Sequence, residues 1–186
     1  MRIISGTARG RQLANFSATN IRPTPDRVRE ALFSILVSRL GSLNGLKVLE
    51  LFAGSGAQSL EALSRGAKSA VLVDSSPQAI KLINENVKRC RFESQVRVLR
   101  QDVKTALQAL KGESPFDLIL LDPPYNQEHI PQSLEMIESL QLLSEDGIIC
   151  AESAANEVLC DCGMLALTES RKYGTSTIHL FSWHGN

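Results

Sequence analysis

The chain has 186 residues, 43% of them hydrophobic and 22% charged, with 20 basic side chains balanced by 20 acidic ones. That length supports a core without disulfide or metal staples, and no apolar run reaches the length of a membrane span. The balance hides a segregation: residues 1 to 39 carry seven arginines and no lysine against Asp26 and Glu30, a net of +5, and the remainder carries −5. An arginine-rich arm on an acidic body suits contact with phosphates, because the guanidinium fork matches phosphate oxygens in two places at once.

Met1 to Gly6 show no apolar stretch behind their positive charge, so they do not read as a secretory signal, and the expected compartment is the cytoplasm. Cys90, Cys150, Cys160 and Cys162 lack the paired spacing of a zinc ribbon or a redox motif, and His129, His179 and His184 stand apart from one another. Reduced thiols and no metal are expected.

In chain order, Arg2 to Ile4 and Arg11 to Leu13 flank Gly6 and Gly10, predicting a small hairpin with Arg9 and Arg11 near its turn. Thr24-Pro25 is a cap-then-proline signal, and Val28, Ala31, Leu32, Ile35 and Leu36 form the apolar stripe of a core-packed helix. From Lys47 onward, short apolar runs alternate with helical patterns. Strands are predicted over Lys47 to Phe52, Ala70 to Asp74, Val96 to Arg100, Phe116 to Asp122 and Gly147 to Glu152. The helices between them span about Gly56 to Arg65, Pro77 to Arg91, Val103 to Lys111 and Ile130 to Leu143, with Ser76 capping the helix that Pro77 begins. Beyond Glu152 a short helix is expected over Ala154 to Cys160. Two strands, Met164 to Lys172 and Ser176 to Trp183, then pair antiparallel through the turn Tyr173-Gly174-Thr175.

The predicted fold is therefore α/β: a doubly wound, mostly parallel, seven-stranded Rossmann-like sheet with an antiparallel C-terminal hairpin and a small N-terminal hairpin-plus-helix extension. One domain is expected over residues 1–186, with the basic extension in 1–40 and the core in 45–186.

Glu50-Leu51-Phe52-Ala53-Gly54-Ser55-Gly56 runs from the first core strand straight into a helix, and glycines 54 and 56 allow a ligand close to the backbone. A dinucleotide fingerprint would place glycine three residues after Gly56, where Ser59 stands, and a carboxylate at Glu50 is awkward beside a pyrophosphate. It suits a ligand bearing an amino group, as the methionine part of S-adenosylmethionine does. Asp74, followed by Ser75, closes the second strand where a carboxylate can accept ribose hydroxyls, and Asp102 follows the third, within reach of an adenine amine. Glu50, Phe52, Gly54, Gly56, Asp74, Ser75, Asp102 and Asp122 are the predicted cofactor residues.

Asp122-Pro123-Pro124-Tyr125 ends the apolar strand Phe116 to Leu121. The exocyclic amine of a base is a poor nucleophile while its lone pair is conjugated with the ring. An Asp122 carboxylate and a Pro123 carbonyl that each accept one N–H would turn that lone pair toward a sulfonium methyl group. The prolines stiffen the turn, and Tyr125 offers a stacking surface worth about 1–3 kcal/mol per base.

The whole chain resembles the bacterial small-subunit ribosomal RNA guanine-N2 methyltransferases, which have the class I methyltransferase fold. The resemblance is carried by Arg2 to Gly6 with Arg9-Gly10-Arg11, by Arg22 to Phe33, by the glycine loop with Glu61 to Ala67 behind it, by Asp122 to Tyr125 and by Lys172-Tyr173-Gly174. It implies S-adenosylmethionine as cofactor and transfer of its methyl group to the N2 amine of a guanine in 16S RNA. The partner would be that RNA or a small-subunit particle, with Arg9, Arg11, Arg22 and Arg27 facing RNA and a monomer as the default state. Ser59 and Glu50 depart from the usual glycine and the frequent aspartate. Two other readings stay open: an enzyme of the same chemistry on DNA adenine, and a noncatalytic RNA-binding assembly factor.

Overall fold

The computed structural model describes residues 1–15, 26–124 and 128–185. Helix α1 (Asp26–Leu40) leads into alternating β1 (Lys47–Leu51), α2 (Ala57–Ser64), β2 (Ser69–Asp74), α3 (Pro77–Cys90), β3 (Val96–Arg100), α4 (Val103–Ala109), β4 (Phe116–Leu121), α5 (His129–Ser139) and β5 (Leu143–Ala154). Strands β6 (Leu165–Tyr173) and β7 (Ser176–Trp183) close the chain. All seven strands form one sheet ordered β3-β2-β1-β4-β5-β7-β6. The first five run parallel, and β7 pairs antiparallel with β5 and with β6.

The central strands read as unbroken apolar runs because both of their faces are covered. On one face, Leu32, Phe33 and Leu36 of α1, Leu60 and Leu63 of α2, and Ile83 and Val87 of α3 pack with Val48, Leu72, Leu118 and Leu120. On the other, Ala106 and Leu107 of α4 and Ile130, Leu134 and Ile137 of α5 pack with Leu49, Leu51, Val73, Ile119 and Leu121. Ser76 caps α3 as its sequence predicts, its Oγ accepting the Ala79 amide at 3.4 Å, with Pro77 in the first turn. The Thr24-Pro25 signal lies outside the described residues.

The N-terminal hairpin forms through the bridge Arg2↔Gln12 and a bond from the Ile3 amide to the Arg11 carbonyl at 3.0 Å. Its seat is the Glu61 to Ala67 segment. Fully buried Glu61 accepts the Ile4 and Ser5 amides at 2.7 and 3.0 Å and the Arg65 guanidinium at 2.8 Å, and Ser64 Oγ accepts the Ala8 amide at 2.9 Å. Arg65 in turn lies over the Phe33 ring, 5.0 Å from its centroid, which ties α1 to the same place. Gly6, at φ +81°, approaches α2 so closely that a Cβ there would lie 1.7 Å from the Ser64 carbonyl oxygen.

Two expectations need correction. No helix forms over Ala154 to Cys160: β5 continues to Ala154, paired with Ser176, and Ala155 and Asn156 make a turn. Ala154 is held in the sheet and Leu159 packs on the core from a non-helical segment while Val158 is exposed, so the apolar residues are not gathered on one helical face. The helix expected to reach Leu143 ends at Ser139, because Gln141 turns the chain with a φ of 52° and Leu142 and Leu143 enter the core instead. Leu143 pairs with Phe116, and regular pairing resumes with Leu118↔Ile148 after a bulge, which explains why the alternating pattern became readable only from Gly147.

Candidate active site

Leu51 and Leu121 are register partners on adjacent parallel strands, so the segments that follow them leave the sheet side by side at its carboxyl edge. This is also where the strand order reverses, the place at which open α/β sheets leave a crevice.

The loop after β1 is held in uncommon backbone geometry. Phe52, Gly54 and Gly56 all have positive φ, at 59°, 54° and 74°. For a phenylalanine this conformation costs on the order of 1–3 kcal/mol, and such strain clusters at functional sites. At Gly56 a Cβ would lie 2.7 Å from Leu72 Cδ2, so a side chain there would have to displace that leucine as well as hold a positive φ. Beneath the loop, buried Glu50 accepts the Ser59 amide at 2.9 Å and so anchors the first turn of α2. Burial pushes the Glu50 carboxyl up to about 7 despite the hydrogen bonds from Ser59 and Gln58 that oppose the rise.

Asp74 joins two loops. Its Oδ2 accepts the Gly54 amide at 2.9 Å and its Oδ1 the Ser76 amide at 2.9 Å. Asp102 caps α4: its oxygens accept the Thr105 amide at 3.0 Å and the Thr105 hydroxyl at 2.6 Å, bonds that hold its carboxyl below the usual range. A cavity of about 700 Å³ opens beside these groups, within the range of small-ligand sites. Of the predicted cofactor residues, Phe52, Asp74, Ser75 and Asp102 line it, and Pro124 joins them from the Asp-Pro-Pro segment. Glu50, Gly54, Gly56 and Asp122 are not in its wall; they shape the loop and the strand ends behind it.

Asp122 lies within electrostatic reach of two further carboxylates, Glu152 and Glu50. Burial, and then the negative charges of Glu152 on β5 and of Glu50 on β1, raise its pKa well above the ordinary aspartate range. Glu152 is itself buried. Pro123 is buried and Pro124 exposed, whereas Tyr125 lies outside the described residues. Among the described residues, no group of three or more His, Cys, Asp or Glu is placed to hold a metal ion.

Sequence reasoning missed the opposite wall of the cavity. His129, Gln132, Ser133 and Met136 line it from one stripe of α5, and Gln101, Val103 and Lys104 complete the α4 side. The His129 ring centroid lies 5.2 Å from that of Phe52, the rings tilted by 42°. The spacing of 129, 132, 133 and 136 is a helix face, but it reads as core-facing amphipathicity until the helix is known to overhang the crevice. Glu152 was legible only as the end of a strand.

The predicted RNA-facing arginines are dispersed. Arg9 is exposed on the hairpin turn, and Arg11 donates to the Arg89 carbonyl at 3.0 Å. Both lie toward the ends of α2 and α3 that return to the starts of the strands, as the bonds from Gly45 to Gly66 and from Ala70 to Gln95 show. Arg27 is exposed in the first turn of α1, and Arg22 lies outside the described residues. Not all of the basic arm is free to face a ligand: Arg29 is buried and donates to the Arg2 carbonyl, and Arg39, though exposed, pairs with Glu169 at 2.7 Å.

Comparison with known proteins places these features in a wider set. Residues 1–182 match the profile of the family described as conserved hypothetical protein 95. YlbH of Bacillus subtilis (strain 168) is 36% identical over 187 residues that span all of both chains. Ribosomal RNA small subunit methyltransferase D of Escherichia coli (strain K12) is 33% identical over 153 residues, which cover 82% of this chain and 74% of the relative. The structure of yhhF from Escherichia coli superposes with a TM-score of 0.85 at 29% identity, covering 100% of this chain and 99% of the other.

Proposed function

Because the chain belongs to the conserved hypothetical protein 95 family, we propose that it transfers a methyl group from S-adenosylmethionine to the exocyclic N2 amine of a guanine in 16S ribosomal RNA. The observation that carries this reading is the meeting, on neighbouring strands β1 and β4, of a left-handed glycine loop and an Asp-Pro-Pro segment. The ribosomal RNA small subunit methyltransferases among its relatives support the class of substrate.

The residues present fit the cofactor. Asp74, already fixed by two amides, has lone pairs left that would accept ribose hydroxyls; Asp102 and Val103, in the cavity wall, would meet the adenine, and Gly54 and Gly56 would allow close approach to the backbone. Glu50, beneath the loop, supplies negative charge for the amino group and holds the start of α2. When bound, the cofactor supplies an electrophilic methyl group on a cationic sulfur.

Asp122 and the Pro123 carbonyl each accept one N–H of the target amine and hold its lone pair out of conjugation, with Tyr125 stacked on the base. Asp122 then takes the proton that the amine must lose, a task suited to a carboxyl whose pKa is raised toward neutrality. Arg9, Arg11, Arg22 and Arg27 meet phosphates. We place the work in the cytoplasm, with the chain acting as a monomer and a single domain that requires no metal.

The test incubates the protein with labelled S-adenosylmethionine and, separately, unmodified small subunits, bare 16S RNA and unmethylated DNA, and then identifies the labelled nucleoside. N2-methylguanosine from either ribosomal substrate is expected, and Asp122→Ala is expected to lose methylation while keeping RNA binding. N6-methyladenine from DNA alone would overturn the substrate. No label anywhere would favour a binding factor.

A further inference from the structure

Asn86 on α3 is fully buried and divides its side-chain hydrogen bonds between two segments far apart in sequence. Its Oδ1 accepts the Ala14 amide at 2.7 Å, and its Nδ2 donates to the Ala14 carbonyl at 3.1 Å and to the Ser55 carbonyl at 2.9 Å. Ser55 stands between the left-handed glycines 54 and 56 of the cofactor loop. Ala14 directly follows the N-terminal hairpin that carries Arg9 and Arg11.

We propose that Asn86 is a positioning residue that locks the glycine loop to the N-terminal arm, so that a cofactor held by the loop and an RNA held by the arm each favour binding of the other. If the arm lifts from α3, both Ala14 bonds are lost at once and a buried amide is left with unmet groups. The amide then has no reason to keep the rotamer that holds the Ser55 carbonyl. A buried side chain bonded to both segments thus favours a state in which loop and arm are held together, and linkage makes the effect equal in both directions. The RNA half of this inference rests on the proposed function; the tie between arm and loop does not.

The experiment titrates S-adenosylhomocysteine into the full chain by calorimetry, with and without a saturating 16S RNA transcript. Asn86→Ala removes all three bonds. Asn86→Asp keeps the volume and the acceptor for the Ala14 amide but turns a second acceptor toward two carbonyls. Both are expected to weaken S-adenosylhomocysteine binding about tenfold, to raise the KM for the cofactor, and to leave kcat at saturation within about threefold. Ala14→Pro removes the arm's amide donor and restricts the backbone at Leu13 and Ala14 but changes no loop residue, yet is expected to weaken the same affinity, which a purely local role for Asn86 would not do.

In the wild type the transcript should tighten S-adenosylhomocysteine binding by about fivefold or more, the lower end of ordinary coupling, and in the variants by a factor near one. Unchanged affinity in all three variants would overturn the tie, and an equal RNA effect in wild type and variants would overturn the coupling. A transcript that does not bind the wild type would count against the RNA reading alone, because the loss of S-adenosylhomocysteine affinity is measured without it.

Discussion

The Gly54 amide donates to Asp74 Oδ2 across 2.9 Å, so the carboxylate that ends β2 also sets the backbone of the loop that ends β1. Asp74→Ala removes this bond, the bond to Ser76 and the acceptors facing the cavity together. Hydrogen bonds to a charged group contribute about 1.5–3 kcal/mol each, so affinity for S-adenosylhomocysteine is expected to fall at least tenfold. Asp74→Asn keeps one acceptor and should retain more. Isothermal titration of the two variants checks the order.

Glu50 makes the stability of the free protein depend on pH. Its folded pKa, about 7, lies above the ordinary value of 4.5, so the folded state holds this proton more tightly than the unfolded chain does. The associated stability is fully present below pH 4.5 and is lost as the pH rises to about 7, an effect of up to roughly 3 kcal/mol for a group this buried. Asp122 acts in the same direction. Glu50→Gln should flatten the decline between pH 5 and 8, as read from urea midpoints; an unchanged slope would remove Glu50 as its source.

The raised pKa of Asp122 should also appear in the rate. The carboxylate must be ionised to accept an N–H and then the proton, so the acid limb of kcat/KM is expected above the ordinary aspartate range. Glu152→Gln removes a neighbouring negative charge, eases ionisation of Asp122, and should move that limb to lower pH. A limb that stays in place would show that Glu152 does not act through Asp122.

Gly6→Ala tests the seat of the hairpin. The new Cβ would fall on the Ser64 carbonyl at 1.7 Å, a backbone atom that cannot swing aside, and at a φ that disfavours alanine. A loss of at least about 2 kcal/mol is expected, in the range of severe overpacking, together with faster amide exchange at Ile4, Ser5 and Ala8. Gly10→Ala, where nothing lies within 4 Å, should cost less.

Replacing Arg9 and Arg11 with alanine should weaken binding to 16S RNA and flatten its dependence on salt concentration, since every phosphate that an arginine ceases to neutralise takes roughly one unit off the slope. Cofactor affinity measured without RNA should be unaffected by the Arg9 change, since Arg9 does not line the cavity, whereas loss of Arg11, which holds the hairpin to the Arg89 carbonyl of α3, should lower it slightly. Filter-binding isotherms from about 50 to 200 mM salt, the span over which such affinities fall steeply, are the measurement, and parallel slopes would sink the assignment.

What could be read along the chain was whatever depends on near neighbours. Alternating apolar runs and helical stripes located β1 to β4 and α2 to α4 to within a few residues, Ser76-Pro77 marked a helix start, and the Glu50 to Gly56 and Asp122 to Pro124 segments stood out by residue type and spacing. The helix expected at Ala154 to Cys160 failed because local spacing does not report that Ala154 pairs with Ser176, or that nothing lies beside Val158 to be covered. The Glu61 to Ala67 block was recognisable as a pattern, but only the fold shows its purpose as the seat of the hairpin.

Periodicity, turn chemistry and short motifs were enough to give the alternation from β1 to β4, the parallel sheet, the Glu50 to Gly56 loop and the Asp122 to Tyr125 segment. Only the tertiary structure decided that α5 walls the cavity, that Glu152 and Glu50 raise Asp122, and that Asn86 spans Ala14 and Ser55. Burial and electrostatics depend on distance in space, and residues 14, 55 and 86 have no sequence signal for the single point at which the folded chain brings them together.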